Sequence, residues 1–306
     1  MEKFDITIIG AGVAGLSAGI YSARSGMKTI ILDNIGGGGQ ILEIDKLENY
    51  PGFFPAANGS ELIQKMSEQA GFFGAKIAQS SVESIDKKGK FFYIKTDSGE
   101  YESSAVIYAT GAEHSKLDVP GEQKLTGSGV SYCAVCDGPF FKNKEVTIIG
   151  GGDSACSEAL YLANIAAHVN IIHRRNEFRA AKTLSDRISA NPKITVHFES
   201  IAKEILGENK VSGVLLENVK TNETRELKTD AVFICVGMKP RTALLETLQK
   251  DSGGYLITNE KMETAIPGLF AAGDVRSKPL RQIITAASDG AIAAVSAAEF
   301  VKTTKS

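Results

Sequence analysis

The chain has 306 residues, a length at which a single core ordinarily gives way to two domains. Its formal charge of −2 excludes the dense basic surface of an electrostatic nucleic-acid binder, and four cysteines are too few for the disulfide framework of a secreted scaffold. Met1 to Phe4 run straight into an apolar stretch with no charged-then-apolar leader, and no apolar run reaches the length of a membrane span, so a cytoplasmic α/β enzyme is expected.

The run Phe4 to Ile9 suits a buried parallel strand and leads through Gly10, Gly12 and Gly15 into a helix-forming stretch that reaches Arg24. Gly10 permits the tight turn, Gly12 lets a diphosphate approach the backbone, and Gly15 lets the helix lie close on the strand. The anion then sits on the positive end of the helix. Gly26 ends that helix, Lys28 to Leu32 forms a second strand, and Asp33 stands where a carboxylate takes ribose hydroxyls. The run Gly36 to Gly39, before Gln40, is too glycine-rich for a helix or strand and longer than one cofactor contact requires. Glu48 to Gly52 is turn-rich, and Leu62, Ile63, Met66 and Ala70 recur at helical spacing. Short strands between 74 and 109 form a β-meander that ends in Thr110 and Gly111.

A polar crossing from Glu113 to Pro120 leads to Cys133, Ala134, Val135 and Cys136. Two thiols at this spacing close into a small ring that a further thiol opens readily, which is redox chemistry. Half a zinc site has the same spacing, but zinc needs four ligands; only Cys156 and Cys235 remain as thiols, with no second C-x-x-C and no paired histidines. Asp137 reads either as a proton donor and acceptor for the pair or as a turn former before Gly138. Cys156, in a helix, and Cys235, in an apolar strand, read as small buried residues, and His114, His168 and His197 carry no motif.

The chain then repeats itself. Glu145 to Ile149 enters Gly150, Gly152 and Ala155, a helix runs to about Asn164, and Val169 to Ile172 is the second strand of an internal duplicate. Where the first unit has Asp33, the second has His173, Arg174 and Arg175, followed by Arg179. A carboxylate repels a 2′-phosphate whereas guanidinium groups bind one, so the second site favours NADP over NAD. A second meander, Ile201 to Lys228, mirrors the first and precedes the apolar strand from Ala231. Pro240 marks a second crossing; a strand from Gly268 to Ala272 then enters Gly273 and Asp274, and Arg281 and Gln282 precede an Ala-rich helix from Ala286 to about Phe300.

In this order, over essentially the whole chain, the motifs resemble those of the low-molecular-weight, bacterial-type thioredoxin reductases. The resemblance implies two Rossmann-like, three-layer α/β dinucleotide-binding domains, each with a β-meander. An NADPH domain, 115–242, carries the C-x-x-C and is inserted into an FAD domain made of 1–114 and 243–306. It implies that FAD is held by Gly10, Gly12, Gly15, Asp33, Gly39, Gln40, Asn49, Thr110, Gly111, Gly273, Asp274, Arg281 and Gln282. It implies likewise that NADPH is held by Gly150, Gly152, Ala155, His173, Arg174, Arg175 and Arg179. By the same resemblance Cys136 is expected to face the flavin and Cys133 to attack thioredoxin, with Asp137 as the proton relay, no metal, no nucleic acid or membrane partner, and a homodimeric assembly. Related flavin disulfide reductases use ferredoxin or NADH as donor, or another protein acceptor; Arg174, Arg175 and Arg179 speak against ferredoxin. Family members often carry an acid where this chain has Ser157, which touches the placement of the nicotinamide.

Overall fold

The computed structural model describes residues 1–44, 47, 49–55 and 58–305. Glu48, in the turn-rich segment, lies outside the described residues. The chain divides into two compact units, Met1–Glu113 with Lys239–Ser306, and His114–Met238. Two short strands at the crossings, Ala112–His114 and Met238–Pro240, pair with each other.

The first unit is built on a seven-stranded sheet. Its central strand, Glu2–Ile9, runs parallel to Thr29–Asp33 on one side and to Gly99–Tyr108 on the other. Both faces of that strand are covered, so Ile6, Ile8 and Ile9 are all buried, and Thr7, on the face opposite Ile6 and Ile8, is buried as well. Helices Val13–Arg24, Gly59–Phe72 and Ile283–Lys305 supply Leu16, Met66, Ala293 and Ala297 to the core on one face. Phe92, Leu245 and Leu256 close the other. Asn58 starts the second of these helices by accepting the Glu61 amide at 2.9 Å, which satisfies one of the free N–H groups of its first turn.

Along its other edge, strand Gly99–Tyr108 serves two partners. Its first half pairs antiparallel with Phe91–Thr96, and its second half pairs parallel with Leu269–Ala271. The first meander is therefore continuous with the parallel sheet. The second unit departs from the expected mirror image: its five-stranded sheet is wholly parallel, and its meander, Ser200–Gly207, Val211–Asn218 and Thr224–Lys228, is a separate antiparallel sheet. The break falls at Thr229 and Asp230. The Thr229 hydroxyl donates to the Glu145 carbonyl at 3.0 Å and the Asp230 amide to the same carbonyl at 2.7 Å, turning the chain out of one sheet into the other.

One sequence expectation is corrected. The segment Ile283–Thr304, 22 residues with a mean hydropathy of 1.3, is long and apolar enough to cross a membrane by length and composition. Asp289, Glu299 and Lys302 interrupt the apolar run in the sequence, but the helix continues through them. Here Ala293, Ala294, Ala297, Ala298 and Val301 of that helix are buried in the core of the first unit.

In the second unit, Arg225 donates to His197 Nδ1 at 2.7 Å and the other ring nitrogen, Nε2, donates to Asn170 Oδ1 at 2.9 Å. The ring is thus neutral, and burial, helped by the Arg225 charge, holds its pKa down from 6.5 to about 4. The unfolded chain binds this proton more tightly, so stability is lost as pH falls below about 6.5 and the loss levels off below about 4. Melting temperatures measured across that interval should fall less steeply for His197→Gln than for the parent; parallel curves would show that another group sets the acid limb.

Candidate active site

The first glycine turn has little room except where a ligand would lie. A β-carbon on Gly15 would stand 1.8 Å from the Gly10 carbonyl oxygen, and one on Gly10 would stand 2.4 Å from that of Ala109 and 3.2 Å from the Thr110 α-carbon. Above Gly12 the nearest atom, the Gly38 oxygen, is 3.6 Å away. Helix Val13–Arg24 begins at Gly12 without a side-chain cap and without an acid in its first turn, leaving its N-terminal N–H groups and positive end to an anion.

Asp33 ends the second strand with both carboxylate oxygens engaged. Oδ2 accepts the Ala11 amide at 2.8 Å, and Oδ1 accepts those of Ile35 and Gly37 at 3.0 and 3.1 Å. The Gly38 amide donates to the Ala11 carbonyl at 3.0 Å. This lashing of one loop onto another accounts for the long glycine run: Gly36, Gly37, Gly38 and Gly39 all have φ between +66° and +120°, backbone that L side chains rarely adopt.

Other residues singled out from the sequence gather around this turn. The Thr110 hydroxyl donates to the Arg241 carbonyl at 2.7 Å, and the Arg241 amide donates to Gly111 at 3.0 Å. Gln40 donates to the Ala112 carbonyl, and Asn49 donates to Gln282 Oε1 at 3.0 Å. Gly273 lies against Ala14, where a β-carbon would approach to 2.8 Å, so Asp274 follows directly beside the start of the first helix. Asp274 pairs with Lys278 at 2.9 Å, Lys278 with Asp289 at 3.2 Å, and Asp289 with Arg276 at 3.2 Å. Lys278 is only 4% exposed, and the two cations and two carboxylates compensate one another. The Arg281 guanidinium lies 3.8 Å from the centre of the Tyr255 ring, and its buried Nε has no hydrogen-bond partner among the described residues. A buried donor in that position costs about 1–3 kcal/mol unless a bound group accepts from it. Lys278, Asp289 and Tyr255 were missed from the sequence; the signals for the first two were a cation four residues after Asp274 and an acid in an Ala-rich helix.

The second glycine turn repeats the geometry. A β-carbon on Gly150 would lie 2.8 Å from that of Ala155 and 2.4 Å from the Cys235 oxygen, whereas nothing stands within 4 Å above Gly152. Helix Asp153–Ala163 again starts without a side-chain cap; Asp153, in its first turn, is committed to the Ala181 amide at 2.8 Å. Arg174, Arg175 and Arg179 line a cavity of about 420 Å³ with Phe178, Glu199 and Lys220, and the Arg179 amide donates to the Gly151 carbonyl at 2.8 Å. His173 is placed differently from its arginine neighbours. It is buried under Gly151 and stacked 5.9 Å from Phe178, its Nε2 has no hydrogen-bond partner among the described residues, and burial lowers its pKa.

Cys133 and Cys136 form a disulfide, with α-carbons 5.3 Å apart, around the short helix Ala134–Asp137. The Cys136 amide donates to Cys133 Sγ at 3.2 Å and the Asp137 amide to the Cys133 carbonyl at 3.1 Å. Both sulfur residues are half-buried, and Val135 between them is exposed. The other two cysteines are thiols: burial pushes Cys156 up to about 11 and Cys235 well above the usual range, so neither supplies thiolate near neutrality. Among the described residues no group of three or more His, Cys, Asp or Glu side chains is placed to hold a metal ion.

The two open glycine turns, the uncapped helix starts and the unsatisfied Arg281 donor fit two dinucleotides. Residues 4–290 match the family described as pyridine nucleotide-disulphide oxidoreductase, and the chain belongs to that family. Thioredoxin reductase from Treponema pallidum is 50% identical over 300 residues, covering 98% of each chain, and that from Bacillus subtilis is 46% identical over 98% of this chain and 95% of its own. The crystal structure of thioredoxin reductase from Streptococcus pyogenes superposes with a TM-score of 0.94 at 44% identity, covering 98% of this chain and 99% of that one. Within the family the chain therefore stands among the bacterial-type thioredoxin reductases, as a flavoprotein oxidoreductase whose cofactors are FAD and NADPH.

Proposed function

We propose that the chain is an NADPH-dependent thioredoxin-disulfide reductase, cytoplasmic and homodimeric, in which Cys133 and Cys136 carry the electron pair to the protein substrate. The half-exposed disulfide, in a chain whose other two thiols are held protonated near neutrality, carries this reading. Bound FAD supplies the relay between a two-electron hydride donor and a disulfide, chemistry that side chains lack.

The first unit, 1–113 with 239–306, holds FAD: Gly10, Gly12 and Gly15 admit its diphosphate to the helix start, and Gly39, Gln40, Asn49, Thr110, Gly111, Gly273, Asp274, Arg281 and Gln282 surround the remainder. Asp33 braces the loop over the diphosphate as well as offering its carboxylate to the ribose. In the second unit, Gly150, Gly152 and Ala155 take the NADPH diphosphate, Arg174, Arg175 and Arg179 take the 2′-phosphate, and His173 shapes the turn from beneath. After the disulfide is opened, Cys133 is the thiol that attacks the disulfide of thioredoxin, Cys136 then attacks the mixed disulfide and releases it, and Asp137 holds the proton that keeps one sulfur ionised.

Steady-state reduction of oxidised thioredoxin by NADPH and, in parallel, by NADH tests the reading. NADPH should support turnover. Because a charge-assisted hydrogen bond contributes about 1.5–3 kcal/mol, Arg174→Ser with Arg175→Ser should raise the KM for NADPH by roughly 100-fold or more and leave that for NADH little changed. Turnover with neither nucleotide, but with reduced ferredoxin, would replace the donor and overturn the assignment of the basic cavity.

A further inference from the structure

Glu158, on the helix that follows the second glycine turn, has no part in the dinucleotide contacts above, yet it reaches the redox pair. Its Oε2 accepts the amide of Ala134 at 3.1 Å and the thiol of Cys235 at 3.2 Å. Ala134 is fully buried and is the residue between Cys133 and the exposed Val135. The amides of this one turn thus go to separate acceptors: that of Cys136 to the Cys133 sulfur, that of Ala134 to a carboxyl group on another helix.

We propose that Glu158 is a positioning residue that sets how readily the Cys133–Cys136 disulfide is reduced, by keeping the Ala134 amide occupied and a negative charge one residue from Cys133. The inference rests on the reading of this pair as the redox couple. Reduction adds two electrons and two protons to the S–S bond and gives two thiols, one of which ionises to act. A nearby carboxylate disfavours that thiolate, and an amide already committed to oxygen does not turn to stabilise it. Both effects hold the dithiol form up in free energy and make the couple a stronger reductant, the reverse of a couple whose reduced form is stabilised. Burial raises the Glu158 carboxyl pKa above its ordinary value, and the hydrogen bonds from Cys235 and Ala134 oppose that rise.

The holoenzyme, equilibrated in stepped ratios of reduced to oxidised dithiothreitol, alkylated and read by the mass of the peptide bearing Cys133 and Cys136, reports the couple separately from Cys156 and Cys235. Glu158→Gln keeps an oxygen acceptor and removes the charge; the ratio of dithiol to disulfide at a fixed buffer should rise about tenfold, equivalent to about 30 mV. Glu158→Asp, which retracts the carboxylate, should shift the same way and serves if the glutamine variant does not fold. Cys235→Ser retains a donor and should titrate with the parent. Midpoints of both Glu158 variants superimposed on the parent would overturn the proposal, as would an equal shift in Cys235→Ser, which would mean that any disturbance of the buried site moves the couple. A parent whose Cys133–Cys136 pair does not titrate at all would remove the functional reading itself.

Discussion

Replacing Cys136 by serine will reduce thioredoxin turnover by at least about 1,000-fold, the scale on which removing one member of a concerted catalytic set acts. The fold should be untouched, since Cys136 is half-buried and a hydroxyl is smaller than the sulfur it replaces. With Cys133 left as a lone thiol, no second sulfur is available to resolve a mixed disulfide with the protein substrate, so a single exchange ends in a trapped covalent complex. Anaerobic addition of NADPH should still bleach the flavin of this variant, because the dinucleotide contacts lie on other residues. Persistent multiple turnover of thioredoxin in Cys136→Ser would dismiss the pair as the route of electrons.

Gly15→Ala carries the second large expected effect. An alanine in a helix interior normally gains up to about 1 kcal/mol over glycine. Here the added β-carbon would stand 1.8 Å from the Gly10 carbonyl oxygen, a backbone atom that cannot swing aside. Separating helix from strand sacrifices burial of Leu16, Ala14 and Ala18, and the loss should reach roughly 3 kcal/mol or more, so that the steric term wins. The purified variant is expected to be colourless and to melt well below the parent. Gly12→Ala makes the contrast: its β-carbon has 3.6 Å to the nearest atom, so the apoprotein should keep its melting temperature while retaining flavin poorly. A yellow, fully stable Gly15→Ala protein would refute the account.

What could be read from the sequence was whatever depends on short-range spacing. Both strand, glycine-turn and helix units stand where the spacing of Gly10, Gly12 and Gly15, and of Gly150, Gly152 and Ala155, indicates, because a tight turn and a close helix are local demands. The disulfide is likewise local, three residues apart. Harder to read were groups whose meaning depends on a partner far along the chain. Asp33 reads from the sequence as a ribose ligand, and its further duty, the lashing to Ala11 and Gly37, exists only once the loop is folded back. His173 sat among arginines in sequence but turned inward, since adjacent residues at a strand end point to opposite sides. Glu158 was passed over beside Ser157, for nothing in a linear reading joins it to Ala134 or to Cys235. The two meanders looked alike in hydrophobic pattern, and only the turn at Thr229 and Asp230 separates one from its sheet.

The discontinuity of the first unit has a consequence for the order of events on the ribosome. Leu269–Ala271 is a strand of the same sheet as Glu2–Ile9, and Gly273 closes onto Ala14, so this sheet cannot be completed until synthesis has passed Ala271. The second unit, His114–Met238, is one uninterrupted stretch and has every residue it needs before Lys239, where the first unit resumes, has been added. The start of the polypeptide must therefore wait, with apolar strands unsatisfied, for a nascent middle that can already fold, and the flavin pocket is the last feature that synthesis makes available.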